Sequence, residues 1–284
     1  LGTRARDAKR YALGPLRASA RSPSPRVVII GAGFGGLAAA VALRRIGVDD
    51  LTIIEAADGV GGTWRLNTYP GAACDIQSHL YSFSFAPRRN WSRTYARQPE
   101  ILAYLESVCD DFDLRRHLVT GTRVRSARWS ESTLTWTVDT ESRSGEAQLV
   151  ADVVVSAVGL FGEPKLPDIE GLARFRGPMM HTSRWDDSVD LTGKRVAVIG
   201  TGASAVQVVP ELAKTAATVT VFQRTPPWMV PKDDRPFTAA ELSRFRRLPW
   251  AARRERWRIW KEQHDNTALR ADDPLVAQRQ EIGE

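Results

Sequence analysis

Two glycine-rich turns, each entered from a β-branched run, constrain this chain more than any other feature. GAGFGG occupies 31–36 after RVVII, and GTGASA occupies 200–205 after RVAVI. A continuous apolar run of this kind predicts a parallel strand buried on both faces. The turn and the apolar stretch after it predict a helix whose first N–H groups face a pyrophosphate. LTIIE at 51–55 and TVTVFQR at 218–224 supply the second strand of each unit, and Glu55 and Arg224 each lie 24 residues beyond the first glycine of their turn. A carboxylate at that position accepts hydrogen bonds from a bare ribose diol, whereas a guanidinium there attracts a 2′-phosphate. The pair therefore predicts two different dinucleotides on one chain and electron transfer between them.

At 284 residues and 43% hydrophobic content, the chain is long enough for one large core or two smaller ones. Its formal charge is +7, but residues 1–25 carry Arg4, Arg6, Lys9, Arg10, Arg17 and Arg21 against Asp7 alone. The rest of the chain is close to neutral, which argues against nucleic-acid binding by the folded body. The leader, 1–25, is expected to be a disordered basic extension in preference to a transit peptide. Val27 to Leu43 is uncharged, but its 17 residues include four glycines and fall short of the roughly 20 that span a bilayer. Cys74 and Cys109 form no C-x-x-C or metal-spaced cluster. A reducing compartment, the cytoplasm, is expected, with no metal.

The coarse organisation is α/β: two Rossmann-like dinucleotide-binding units with an inserted β-meander and a C-terminal helical segment. Residues 26–165 form the first domain, 166–192 a linker, 193–232 the start of the second domain, and 233–284 an incomplete helical insert. Residues 60–97 are rich in Gly, Pro, aromatics and Arg, a composition that predicts a functional loop. QPEILAYLESVCDDF predicts a helix; TRVRSARW, TLTWTVDT and EAQLVA predict the meander, and DVVVSAVG the next buried strand. FTAAELSRF and WAARRERWRIWKEQ read as helices; the second could lie as a basic amphipathic face on a membrane surface or partner, but Trp250, Trp257 and Trp260 are expected to pack on a neighbouring domain with the intervening arginines solvated. The chain opens on Leu1 and stops at EIGE without a capping signal, so it is expected to be a truncated piece of a longer protein.

Two further stretches go beyond what two nucleotide folds require. Phe175, Gly177, His181, Trp185 and Asp186 spell F-x-G-x-x-x-H-x-x-x-W-D, and Gly61, Gly62, Trp64, Tyr69, Pro70, Gly71 and Asp75 lie in GGTWRLNTYPGAACD. Both resemble the fingerprints of Baeyer–Villiger monooxygenases, which use FAD and NADPH to insert one oxygen atom of O₂ beside a ketone carbonyl. The resemblance implies that Gly31, Gly33, Gly36, Glu55 and Gly62 hold FAD, with Trp64, Asp75 and Tyr81 bordering the flavin. It implies NADP(H) at Gly200, Thr201, Gly202, Ser204 and Gln207, with Arg224 and Thr225 at the 2′-phosphate. Asp75 would orient the family's catalytic arginine, a carboxylate beside that cation being expected to stay ionised. That arginine belongs to a later part of the family's sequence, and no residue here is assigned its role. His181 is expected to couple or support rather than to transfer a proton. The partners implied are a small-molecule ketone and O₂.

Three other functions share part of this pattern. Disulfide reductases share the architecture but need a paired redox-cysteine motif that Cys74 and Cys109 do not supply. N- or S-oxygenating flavin monooxygenases are closer, and the Trp185–Asp186 ending favours ketone oxidation over them. A catalytically incomplete nucleotide-binding remnant is the third.

Overall fold

The computed structural model describes residues 24–226 and 232–265. Most of the basic leader and the end of the helical insert lie outside them. The described chain divides into two compact units, residues 24–67 with 101–170, and residues 68–100 with 171–265.

In the first unit, β1 (Val27–Ile30) leads through the glycine turn into α1 (Phe34–Arg45), followed by β2 (Leu51–Ile54). Leu37, Ala40 and Val41 form the buried face of α1, and Gly47 ends the helix at φ 90° with its N–H on the Arg44 carbonyl. A single helical turn, α2 (Thr63–Leu66), precedes α3 (Gln98–Asp111), whose Ile101, Leu105, Val108 and Cys109 are buried. A two-residue strand, β3 (Leu118–Val119), pairs in parallel with β2, a contact too short to leave a sequence signal. The expected meander forms as β4 (Thr122–Ser130), β5 (Thr135–Ser142) and β6 (Gly145–Ala151), antiparallel throughout. Its Val138 and Ala151 close over Val28 and Ile54.

β7 (Val153–Ser156) pairs with β1, so the parallel sheet runs β3-β2-β1-β7. DVVVSAVG was expected to be buried. Val153 is instead 42% exposed, because β7 is the edge of the described sheet.

The second unit contains β8 (Arg195–Ile199), α4 (Ala203–Leu212) and β9 (Thr218–Phe222), with β8 and β9 in parallel register. Two strands cannot shield themselves, and Ile199, Val221 and Phe222 are exposed. Residues 68–100 group with this unit rather than with the first, in place of the division by chain order that the sequence suggests. Tyr69 and Ala72 share a core with Val208 and Leu212 of α4.

Two helices complete the unit, α5 (Ala239–Arg247) and α6 (Pro249–Asp265). Thr238 and Glu241 form a reciprocal capping box at the start of α5. On α6 the expectation of solvated arginines fails at Arg256. Trp250, Trp257 and Trp260 are exposed, while Ala251, Ala252 and Ile259 are buried. Arg256 turns inward and donates from one guanidinium nitrogen to the carbonyls of His79 (3.1 Å), Leu80 (2.8 Å) and Ser82 (2.9 Å). Helical phase decides this: 252, 256 and 259 share a face, and the tryptophans fall off it.

His79 lies against the rings of Phe237 and Phe245, with centroids at 5.5 and 4.4 Å, and its buried Nε2 has no hydrogen-bond partner among the described residues. Burial, helped by the nearby Arg256 charge and opposed by Glu255, pushes its pKa down to about 4. The unfolded chain takes up this proton near pH 6.5, and the folded chain does not until about pH 4. The stability contributed by neutral His79 is therefore complete above pH 6.5 and is lost as pH falls toward 4. Between pH 7 and pH 5 the expected loss is about 2 kcal/mol. Denaturant titrations of wild type and His79→Phe at both pH values check this: the substitution should remove most of the difference, and an equal pH dependence in both proteins would refute it.

Candidate dinucleotide sites

The two glycine turns repeat one backbone scheme. Gly31 N–H donates to the Ile54 carbonyl and Gly200 N–H to the Phe222 carbonyl, each at 2.8 Å. Leu37 N–H returns to the Gly33 carbonyl and Val206 N–H to that of Gly202. Gly31 and Gly200 adopt φ of 104° and 101°, where a side chain is strained. Gly33 and Gly202 are the N-caps of α1 and α4, and neither helix has a side-chain cap. The first-turn N–H groups are thus left for a ligand, with the positive end of the helix dipole behind them.

The glycines differ in why the fold needs them. A Cβ on Gly36 would overlap the Gly31 carbonyl, and one on Gly31 would stand 2.5 Å from the Ala157 carbonyl oxygen, so both are required for packing. A Cβ on Gly33 would make only ordinary contact, 3.6 Å from Gly62 Cα, and one on Gly202 would meet nothing within 4 Å. Both residues have extended backbone open to alanine. Internal packing therefore leaves these two glycines unexplained, and an uncovered Cα of this kind permits close approach of a ligand. In the second unit Ala205 stands where Gly36 stands in the first.

Glu55 is only 9% exposed, and its carboxylate is held by backbone on both oxygens. Ala32 N–H donates to Oε2 at 2.7 Å and Ala57 N–H to Oε1 at 2.8 Å. Each oxygen keeps a lone pair for a ribose hydroxyl. Gly61 N–H donates to the Ala32 carbonyl at 3.0 Å, joining the turn to the segment that contains Gly62 and the buried Trp64. Gly62 adopts φ 53° as the N-cap of α2, and Arg65 anchors that turn through Glu106, Asp58 and the Val60 carbonyl. In the first unit the structure thus gathers Gly31, Gly33, Gly36, Glu55, Gly62 and Trp64. Sequence spacing missed Ala32 and Ala57, which act through backbone N–H alone.

In the second unit, Thr201 and Ser204 are half-buried around the turn, and Arg224 and Thr225 are exposed in the bend after β9. Gln207 is engaged elsewhere: its Oε1 accepts from Ala73 N–H at 2.7 Å. Asp75 is exposed on the same loop and Tyr81 half-buried in the turn held by Arg256. Lys232, which no motif flags, donates to the Cys74 carbonyl at 2.7 Å.

The fingerprint residues have local duties. His181 Nδ1 accepts from Ser183 N–H at 3.1 Å and caps the 3₁₀ turn Thr182–Arg184. Trp185 packs against the α4 core. Asp186 accepts from Ser188 N–H and Oγ, and the hydroxyl bond foremost holds its carboxyl below the usual range. Phe175 is exposed with its ring folded over Gly177. Cys74 and Cys109 are free and buried, and burial pushes each thiol up to about 11. Such thiols are poor nucleophiles. Among the described residues no helix is long and apolar enough to cross a membrane, and no group of His, Cys, Asp or Glu could hold a metal ion.

The glycine analysis predicts opposite phenotypes for two alanine substitutions. Gly36→Ala should lower stability by roughly 3 kcal/mol or prevent folding, from overlap with rigid backbone. Gly202→Ala should leave the melting temperature within about 2 °C while weakening NADP⁺ binding about tenfold or more. Thermal melts with calorimetric titration of NADP⁺ measure both; unchanged NADP⁺ affinity in Gly202→Ala would remove the close-approach argument.

Residues 28–245 match the model of the family described as pyridine nucleotide-disulphide oxidoreductase. A Baeyer–Villiger monooxygenase of Streptomyces coelicolor is 50% identical over 235 residues, which is 83% of this chain and 44% of that protein. The crystal structure of cyclohexanone monooxygenase from Rhodococcus sp. Phi1 bound to NADP⁺ superposes with a TM-score of 0.71 at 45% identity, over 78% of this chain and 42% of that one. The crystal structure of OTEMO in complex with FAD and NADP gives a TM-score of 0.72 at 36% identity, over 80% and 44% of the two chains. The chain spans a little under half the length of these relatives. It belongs to the pyridine nucleotide-disulphide oxidoreductase family, among the Baeyer–Villiger monooxygenases.

Proposed function

We propose that this chain binds FAD at the first glycine turn and NADP(H) at the second, as part of an NADPH-dependent monooxygenase that converts a ketone to an ester or lactone. The observation that carries the reading is the pair of glycines, Gly33 and Gly202, that internal packing does not need. The residues present fit both groups. Glu55, oriented by Ala32 and Ala57, would accept the ribose hydroxyls of FAD, and the uncapped α1 N-terminus would take its pyrophosphate. Trp64 and Tyr81 would border the flavin ring. Gly200, Thr201, Gly202 and Ser204 would surround the NADP pyrophosphate, with Arg224 and Thr225 at the 2′-phosphate.

Flavin and nicotinamide together supply hydride transfer and O₂ chemistry. The protein contributes binding, orientation and exclusion of water. Asp75 would orient a cation that stabilises negative charge developing during attack on the carbonyl. The free, buried cysteines suit a reducing, cytoplasmic setting.

The full-length protein, supplied with NADPH, O₂ and a panel of cyclic and open-chain ketones, should form esters or lactones detectable by gas chromatography. NADPH consumption that yields only H₂O₂ would sink the oxygenase reading. A separate test concerns Arg224. Arg224→Ala should raise KM for NADPH about 10- to 100-fold, the range for a charge-assisted hydrogen bond, with little change for NADH. An equal effect on both nucleotides would remove the 2′-phosphate assignment.

A further inference from the structure

Helix α4 has a second use besides presenting its N-terminus. Tyr69 and Ala72 are buried against Val208 and Leu212 on its flank. Between them Gly71 adopts φ 84° and comes so near that a Cβ would stand 2.6 Å from the Gln207 carbonyl oxygen and 3.0 Å from Glu211 Cγ. The loop's other edge pairs with the stretch before α3: Cys74 N–H donates to the Ala96 carbonyl (3.0 Å) and Gln98 N–H to the Ala72 carbonyl (2.9 Å). Ala73 N–H points the opposite way and finds its acceptor in Gln207 Oε1 at 2.7 Å. Two residues on is Asp75, and the carbonyl between them is taken by Lys232.

A half-buried backbone N–H needs an acceptor. No carbonyl of the paired edge can reach Ala73, because adjacent N–H groups of an extended segment face opposite sides. Gln207 meets that need from a helix one turn below the proposed pyrophosphate seat. We infer that Gln207 is a positioning residue rather than a phosphate ligand: it ties the Asp75 loop to α4, so that nucleotide bound at the α4 N-terminus also stiffens the loop. The inference rests on the NADP site proposed above and adds the connection between that site and Asp75.

Two substitutions separate the roles in the full-length protein. Gln207→Glu keeps an oxygen that can accept from Ala73 N–H but places a negative charge beside any phosphate. Gln207→Leu keeps volume and removes the acceptor. For a tether, amide hydrogen exchange across residues 69–76 should be near wild type in Gln207→Glu and about tenfold faster in Gln207→Leu, the factor for one lost hydrogen bond. Saturating NADP⁺ should slow exchange there in wild type and Gln207→Glu but not in Gln207→Leu. By calorimetry, Gln207→Glu should bind NADP⁺ within about threefold of wild type, allowing for a screened charge about 10 Å away.

A phosphate ligand gives the reverse, with Gln207→Glu weakening NADP⁺ more than tenfold and loop exchange unchanged in Gln207→Leu. Either result overturns the tether. Should Gln207→Leu fail to fold, Gln207→Asn withdraws the acceptor by one methylene and takes its place. Both readouts are independent of turnover, so a failed ketone assay would not be mistaken for a failed tether.

Discussion

The backbone of Ala32 joins the parts of the first unit. Its N–H holds a Glu55 carboxylate that is almost wholly buried, and its carbonyl receives Gly61 N–H. A carboxylate removed from water costs several kcal/mol unless charge-assisted hydrogen bonds replace the lost hydration. Glu55 obtains two from backbone alone. That arrangement requires the turn at 31–33, the end of β2 and the strap at 61–64 to occupy mutually consistent positions. The turn in turn requires Gly31 and Gly36, because the Ala157 and Gly31 carbonyls occupy the places their side chains would need. An apparently loose glycine-rich segment is thus held by backbone contacts on several sides.

The same motif is differently constrained in the second unit. A Cβ on Gly200 or Gly202 would meet nothing, and Ala205 stands where Gly36 is obligatory. The backbone scheme is nonetheless repeated, with Gly200 N–H on the Phe222 carbonyl at the end of β9 and Val206 N–H on that of Gly202. Neighbours supply the difference: the first turn lies between β2 and β7, whereas β8 and β9 form a two-stranded sheet with exposed apolar residues. Identical local geometry can therefore carry unequal stability, and the strength of each turn depends on the strands beside it rather than on the glycines.

Much of this was legible in the sequence because it depends on local rules. β-branched runs gave the parallel strands, alternation gave the meander, and Glu55 lies where strand length and turn size place it. Reading failed where the answer depends on side-chain phase or on long-range backbone contacts. Residues 68–100 show little periodicity, and their attachment to the second unit comes from Gly71 packing on α4, Tyr69 and Ala72 entering its core, and Arg256 collecting three carbonyls. Nothing in the spacing of those residues announces such contacts. His181, expected to couple or support, spends Nδ1 on capping a turn, a local duty that its place in the motif does not reveal. Gln207, read as part of a phosphate cradle, gives its oxygen to Ala73.

The basic helix α6 shows how far composition can mislead about a surface. Arginines interleaved with tryptophans suggest a face for membrane or partner, but two of them make specific contacts within the unit. Arg256 satisfies carbonyls of a turn that has no strand partner, and Arg258 is paired with Glu255 and Glu262 along the helix. Lys232 does for the Cys74 carbonyl what Arg256 does for the 79–82 turn. An irregular segment carries backbone acceptors that regular structure would have satisfied, and long cationic side chains reach them from neighbouring elements without requiring a strand. Part of the Lys and Arg content of this unit therefore answers a deficit of hydrogen-bond donors within the fold.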